Sequence, residues 1–132
     1  MTKILLLIAM LFFHIIDDYY LQGWLASAKQ KSWWEQNAPD RLYKNDYKIA
    51  LIEHAFSWTC SIHIPVLIYF WYYSIQLNLY TFLFCFIFDL ILHAVIDHLK
   101  ANKKVINLTT DQCIHFGQIF VTWYVYLFSF AA

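Results

Sequence analysis

The sequence is short of most things that mark an ordinary soluble domain. Only 14% of its 132 residues are charged, against 61% that are hydrophobic, whereas soluble domains are roughly a quarter charged and half apolar. A fold this small has too much surface to hide so much apolar area from water. Glycine and proline number two each, which excludes collagen-like and linker-rich chains. The cysteines, Cys60, Cys85 and Cys113, lie far apart with no Cys-x-x-Cys spacing. A disulfide framework is therefore excluded, and buried free thiols are expected. Charge of either sign is scarce and balanced, nine Lys and Arg against nine Asp and Glu. Without a basic field, no nucleic-acid partner is expected. There is no His-Glu-x-x-His, no Gly-rich phosphate loop and no Ser-His-Asp spacing. Aromatic residues, at 21%, exclude disorder.

What is present is apolar length. Four runs, at about 4–25, 47–73, 75–99 and 108–130, each reach the roughly 20 residues that a membrane-crossing helix needs. The predicted fold is all-α: one domain over 1–132, a polytopic, antiparallel bundle of four transmembrane helices. Pro65 should kink or interrupt the second run. Residues 74–78 make a tight uncharged hairpin, and residues 27–46 form the one sizeable loop. Asn37, Pro39 and Asn45 supply its turns, and Trp33 and Trp34 suit a short helix in the interface. Lys3, the run 4–16 and Ala26-Ser27-Ala28 have the form of a signal peptide. Asp17, Asp18, Tyr19 and Tyr20 intervene, so a true span is expected.

Lys29, Lys31, Arg41, Lys44 and Lys48 flank the first loop, and Lys100, Lys103 and Lys104 the third. Basic residues stay on the cytoplasmic side, which places these two loops inside and both termini outside. Trp71, Tyr72 and Tyr73 then form an outer aromatic belt, with Tyr19, Tyr20 and Trp24 in the inner one.

Ionisable residues inside a span are costly and usually functional, and here they are ordered. His14, Asp18 and Gln22 repeat every four residues in the first run. Asp89, His93 and Asp97 do the same in the third, and Asp111 and His115 in the fourth, with Gln118 beyond. The second run contributes His54. Such spacing puts each set on one helical face. At about 1.5 Å per residue, Gln22, Asp97 and Asp111 lie roughly 3–5 Å from the cytoplasmic ends, Asp18, His54, His93 and His115 roughly 9–11 Å, and His14 and Asp89 roughly 15 Å. Four helices thus bring polar groups to one leaflet at matching depth.

No Lys or Arg lies in the interior of a run to pair with Asp18, Asp89, Asp97 and Asp111. Unpaired carboxylates in low dielectric protonate or find a cation. His beside Asp suits a metal. The expected ligands are Asp18, His54, His93, Asp97, Asp111 and His115, with Gln22 and Gln112 orienting them. The expected cofactor is a divalent ion, zinc first, with manganese or iron as alternatives. Two such ions would neutralise four carboxylates. His14 or Asp89 is the expected general base. Asp17 points about 100° away from Asp18 and is expected at the headgroups. Glu53 and His98 are expected at the interface, and His63 as a hydrogen-bonded core residue.

The run His14-x3-Asp18-x3-Gln22 with Trp24, Ala26 and Lys29 resembles the opening of the domain-of-unknown-function 3307 family. So do His54, the His93-x3-Asp97 pair with Lys100, and Asp111-Gln112-x2-His115. The likeness spans nearly the whole chain and does not include Asp17 or Asp89. It implies a small polytopic membrane protein of bacteria and their phages, hence a bacterial inner membrane, and brings no activity. The pattern is also similar, by analogy, to membrane-bound metal-dependent hydrolases. The first functional expectation is therefore a metal-dependent hydrolase acting on an amphipathic or lipid-linked substrate at the inner leaflet. The alternatives are metal-ion or proton transport or sensing, haem binding, and a non-enzymatic interaction module in which the polar residues glue helices together. The expected partners are the lipid bilayer, an amphipathic small molecule and, through Phe- and Tyr-rich faces, further copies of the chain.

Overall fold

In the computed structural model, which describes residues 2–129, every regular element is helical. The α-helices are α1 (Lys3–Ile16), α2 (Leu25–Ala28), α3 (Lys31–Asn37), α4 (Asp46–Tyr72), α5 (Leu79–His98) and α6 (Leu108–Ser129). A π-helical turn, Asp17–Leu21, extends α1, and another, Leu99–Lys103, extends α5.

Three of the four long helices, all but α4, begin where a short polar side chain replaces the missing helical acceptor. Thr2 Oγ1 accepts from the Leu5 amide at 3.3 Å. Asn78 Oδ1 accepts from the Tyr80 and Thr81 amides at 3.0 and 3.1 Å, and Asn107 Oδ1 accepts from Thr110 at 2.8 Å. The turn into α5 runs through Ser74 at φ 52°, so that helix starts at Leu79 rather than near residue 75. At the other end of the molecule Gly23 takes φ 49° between the first π-helical turn and α2, a conformation that costs glycine little. The predicted end of the last run, at Phe130, lies outside the described residues.

Of the kink or interruption expected at Pro65, the interruption does not occur: α4, 27 residues in all, runs through it. One lost amide donor is tolerable where neighbouring helices and Ser or Thr side chains compensate, and Pro65 is buried among them.

Around α4 the long helices close a ring. α1 packs on α4, α4 on α5, α5 on α6 and α6 on α1. The Trp123 indole donates to the Lys3 carbonyl at 2.8 Å, so the start of α1 lies beside the last turns of α6. At the opposite end Asn102 ties the two basic loops together: its amide donates to Lys29 O at 3.0 Å, and its Oδ1 accepts from the Lys31 amide at 2.7 Å. The loop expected to lie in the interface forms α3, where Trp24, Trp33 and Trp34 meet edge to face.

Polarity is arranged inside out. Ile4, Phe12, Ile52, Leu67, Phe84 and Val121 face outward. All six ligand residues expected from the sequence are buried, as are His14, His63 and Asp89. Water would reward the reverse; hydrocarbon rewards this one. An apolar core of Leu6, Met10, Trp58, Ile62, Val66 and Ile119 fills the remainder of the interior. Three helical stretches, Lys3–Leu21, Arg41–Tyr72 and Leu79–Lys103, are long and apolar enough to cross a membrane. α6 is as long but carries Asp111, Gln112, His115 and Gln118 in its first half, which lowers its apolar character.

Candidate metal centre

Fourfold spacing points His14 and Asp18, His93 and Asp97, and Asp111 and His115 into the ring, and α4 adds His54. The π-helical turn changes one expectation. Each such turn carries an extra residue relative to an α-turn, so Asp17 faces inward together with Asp18. Asp17 is 1% exposed and accepts from Ser57 Oγ at 2.8 Å and Ser61 Oγ at 3.0 Å. It is not a headgroup residue.

Six side chains converge. Asp18, His54 and His93 form one set, His93, Asp97 and His115 a second, and Asp18, Asp111 and His115 a third. Within each set the potential ligand atoms lie within 4.8 Å of one another. His54 Nε2 is 3.2 Å from His93 Nε2, 3.3 Å from Asp18 Oδ1 and 3.3 Å from Asp97 Oδ2. His115 Nε2 is 3.4 Å from Asp111 Oδ1 and 3.5 Å from Asp97 Oδ1. Neither His115 Nε2 nor Asp111 Oδ1 has a hydrogen-bond partner. Buried orphans of this kind are rare unless something else satisfies them.

Two cations reach the cluster from outside the apolar runs, where none was expected. Lys29 Nζ is 2.5 Å from Asp97 Oδ2, and Lys100 Nζ is 2.6 Å from Asp111 Oδ2. Long lysine stems run along apolar surface while the ammonium seeks a polar site, so position in the chain understated their reach. Against Asp18, Asp97 and Asp111 they leave one carboxylate uncompensated, and two with Asp17, a balance that suits one divalent ion better than two.

His14 is not free to act as a base. Its Nδ1 accepts from the Trp58 indole at 2.7 Å, so Nε2 carries the proton and donates to Gln112 Oε1 at 3.1 Å. The Gln112 amide group is thereby oriented, and its Nε2 donates to Asp18 Oδ2 at 3.0 Å and Asp111 Oδ2 at 3.1 Å. Gln22 donates to Asp18 Oδ1 at 3.3 Å and also to the Asp18 carbonyl. Such relays hold ligands in place. Trp58 was not foreseen. It lies one turn from His54 and stacks on His93, with centroids 4.1 Å apart. The fourfold rule applied to neutral side chains would have found it.

Asp89, the other residue expected as a general base, belongs to none of the three sets. It accepts from Gln118 Nε2 at 2.9 Å and Thr122 Oγ1 at 2.9 Å, with His63 Nε2 at 3.7 Å. His63 donates through Nδ1 to the Thr59 carbonyl at 2.8 Å. A second, separate polar centre results. Glu53 is exposed and His98 half-buried, stacked on Tyr47. The cysteines are free, but only Cys85 is fully buried; Cys113 is exposed.

The chain matches no family model, no curated protein and no solved structure. What the site can do therefore rests on its own chemistry. Its imidazole and carboxylate donors can hold a metal ion of the kind that N and O ligands select.

Proposed function

We propose that the chain is a multi-pass membrane protein that holds a divalent metal ion, zinc first, at the cytoplasmic end of a four-helix bundle, and hydrolyses an amphipathic or lipid-linked substrate there. The observation that carries this reading is the meeting of His54, His93 and His115 with Asp18, Asp97 and Asp111, two of whose inward atoms lack partners. The three apolar stretches support the membrane placement. α6, at 22 residues, is about 33 Å long, enough for a fourth span. The basic loops share one end of the molecule, and that end is assigned to the cytoplasm, in a bacterial inner membrane. The likeness to the domain-of-unknown-function 3307 family accords with this placement and adds no chemistry.

When bound, the ion would polarise a substrate oxygen and acidify a water. The chain's part is to fix its ligands. Gln112 and Gln22 orient Asp18, and Trp58 holds His14 and the face of His93. Elemental analysis of the purified protein tests the reading. One metal ion per chain is expected, lost in His54→Ala and His93→Ala. Wild-type protein without metal after metal-supplemented purification overturns it. Release of phosphate from a lipid phosphate by the zinc-loaded protein tests the hydrolysis.

Transport is the second reading, and one feature favours it. Cys85, Asp89, His93 and Asp97 on α5, and Asp111, His115, Gln118, Thr122 and Tyr126 on α6, form a buried polar column. From Asp111 to Tyr126 it rises about 22 Å. Proton or zinc flux into proteoliposomes, abolished by Asp89→Asn, would replace hydrolysis with transport.

A further inference from the structure

Beside the metal cluster a cavity of about 380 Å³ opens between α2 and the second π-helical turn. Its polar lining is Gln22, Lys29, Gln30, Asp97, Lys100 and Lys104. Asp97 is therefore shared: it lines the cavity, and its carboxylate lies against His54, His93 and His115. Three lysines line the cavity around it, with Gln22 and Gln30, whose side-chain amides already donate to Asp18 and to the Ala26 carbonyl.

The lysines are unusual in how they are held. Lys29 is itself buried, 8% exposed, a state rare for lysine unless it is paired. Its partner is Asp97, one of the candidate metal ligands, and the partner of Lys100 is Asp111, another. The lysines and a metal ion therefore compete for the same two carboxylates. A divalent ion that takes Asp97 and Asp111 draws their charge away from the ammonium groups. The lysines would then need a new anion, and the cavity they line is where one can enter.

We propose that this cavity is an anion subsite that takes a phosphate monoester group, gripped by Lys29, Lys100 and Lys104 once metal occupies Asp97 and Asp111, so that metal binding precedes and promotes substrate binding. The inference rests on the metal reading above and adds the substrate class and the order of binding. Phosphate fits because its oxygens accept several charge-assisted hydrogen bonds at once while coordinating a metal. The group could arrive on a lipid or as a free ion; the ammonium chemistry is the same for both.

The sign of one mutation distinguishes this from a structural role for the lysines. In Lys29→Gln a competitor for Asp97 is gone, so zinc affinity of the full-length protein in detergent should stay equal or rise severalfold. Binding of inorganic phosphate to the zinc-loaded variant should weaken by about tenfold or more, since a charge-assisted partner is lost. Wild type should bind phosphate at least about tenfold more tightly with zinc than without, because the lysines are otherwise committed. Lys104→Gln, an exposed position, should weaken phosphate severalfold and leave zinc affinity unchanged, and it keeps the test valid if Lys29→Gln does not fold. Nanodiscs containing phosphatidic acid, compared with phosphatidylcholine alone, assign the source: tighter zinc-dependent binding than inorganic phosphate means a lipid, and no gain means a free phosphate. If zinc binds but phosphate does not, or binds equally without zinc, the subsite falls and the metal centre stands. A lower zinc affinity in Lys29→Gln also overturns it. If zinc itself does not bind, the metal reading falls, and the subsite with it.

Discussion

Two buried centres in this bundle are built from aspartate and histidine, and they differ in how their charges are met. At Asp89 one carboxylate is enclosed by Gln118 and Thr122, with His63 at 3.7 Å. No lysine reaches it and no second carboxylate joins it among the described residues. Around Asp97, by contrast, three carboxylates and three imidazoles crowd together and two lysines intrude. Atoms without a hydrogen bond occur at both, His115 Nε2 and Asp111 Oδ1 here and His63 Nε2 and Gln118 Oε1 beside Asp89, so the number of charges is what separates them. One carboxylate that finds neutral donors is what helix-helix adhesion requires. Several carboxylates that repel one another and must recruit counter-ions are a poor adhesive. Their presence argues for a cationic occupant. The same residue types thus read as glue or as ligands according to how many carboxylates meet.

The strongest way to break that contrast is to delete a histidine from each centre. His93→Ala should lower zinc affinity by more than about 100-fold, beyond what losing a mere supporting contact costs. His63→Ala should leave it unchanged. Equilibrium dialysis against a zinc chelator measures both. Equal losses would merge the two centres into one.

The second test acts on stability. Asp89→Ala strands the Thr122 hydroxyl in the interior, while the Gln118 amide keeps the backbone carbonyl of residue 89 at 2.8 Å, and an unmet group costs about 1–3 kcal/mol. Thermal unfolding in detergent should therefore occur at lower temperature, with metal content intact. Asp89→Asn keeps one acceptor oxygen and should cost less. A metal loss in Asp89→Ala would instead draw that residue into the metal centre.

How the sequence foreshadowed this contrast depends on the residue. Fourfold spacing identified which side chains of each helix turn inward, because an α-helix repeats its faces near that interval. His93 with Asp97 and Asp111 with His115 were readable for that reason. Spacing carries no information about rotation between helices. Asp89 shares a face with His93, yet α6 presents Gln118 and Thr122 to it, so it joins a different centre. Asp17 was misplaced because a π-helical turn breaks the angular arithmetic. Lys29 and Lys100 were set aside because position in a loop does not reveal how far a flexible stem can reach.

A third prediction concerns the support for the ligands. Trp58→Phe keeps a ring to stack on His93 but removes the indole donor that fixes the His14 tautomer. His14 can then turn, and Gln112 loses the contact that aims its amide at Asp18 and Asp111. Zinc affinity should fall by about tenfold, the lower end of what outer contacts contribute. The unfolding temperature should change little. Unchanged affinity would make the relay a packing feature only.

The smallest effect is expected at Asp17, which stands between the two behaviours. It is buried beside the cluster, with His54 Nδ1 at 3.9 Å from its Oδ2, yet its hydrogen bonds come from Ser57 and Ser61, as adhesive contacts would. Ser61→Ala removes one of two donors to the same oxygen. A single interhelical hydrogen bond within a membrane is worth about 0.6 kcal/mol on average, so a small loss of thermal stability is expected. Zinc affinity decides the assignment. If it is unchanged, Asp17 holds α1 against α4 and the cluster ends at Asp18. If it drops, Asp17 steadies His54 through Nδ1, which lacks a hydrogen-bond partner, and the π-helical turn serves to present two successive carboxylates to one metal centre.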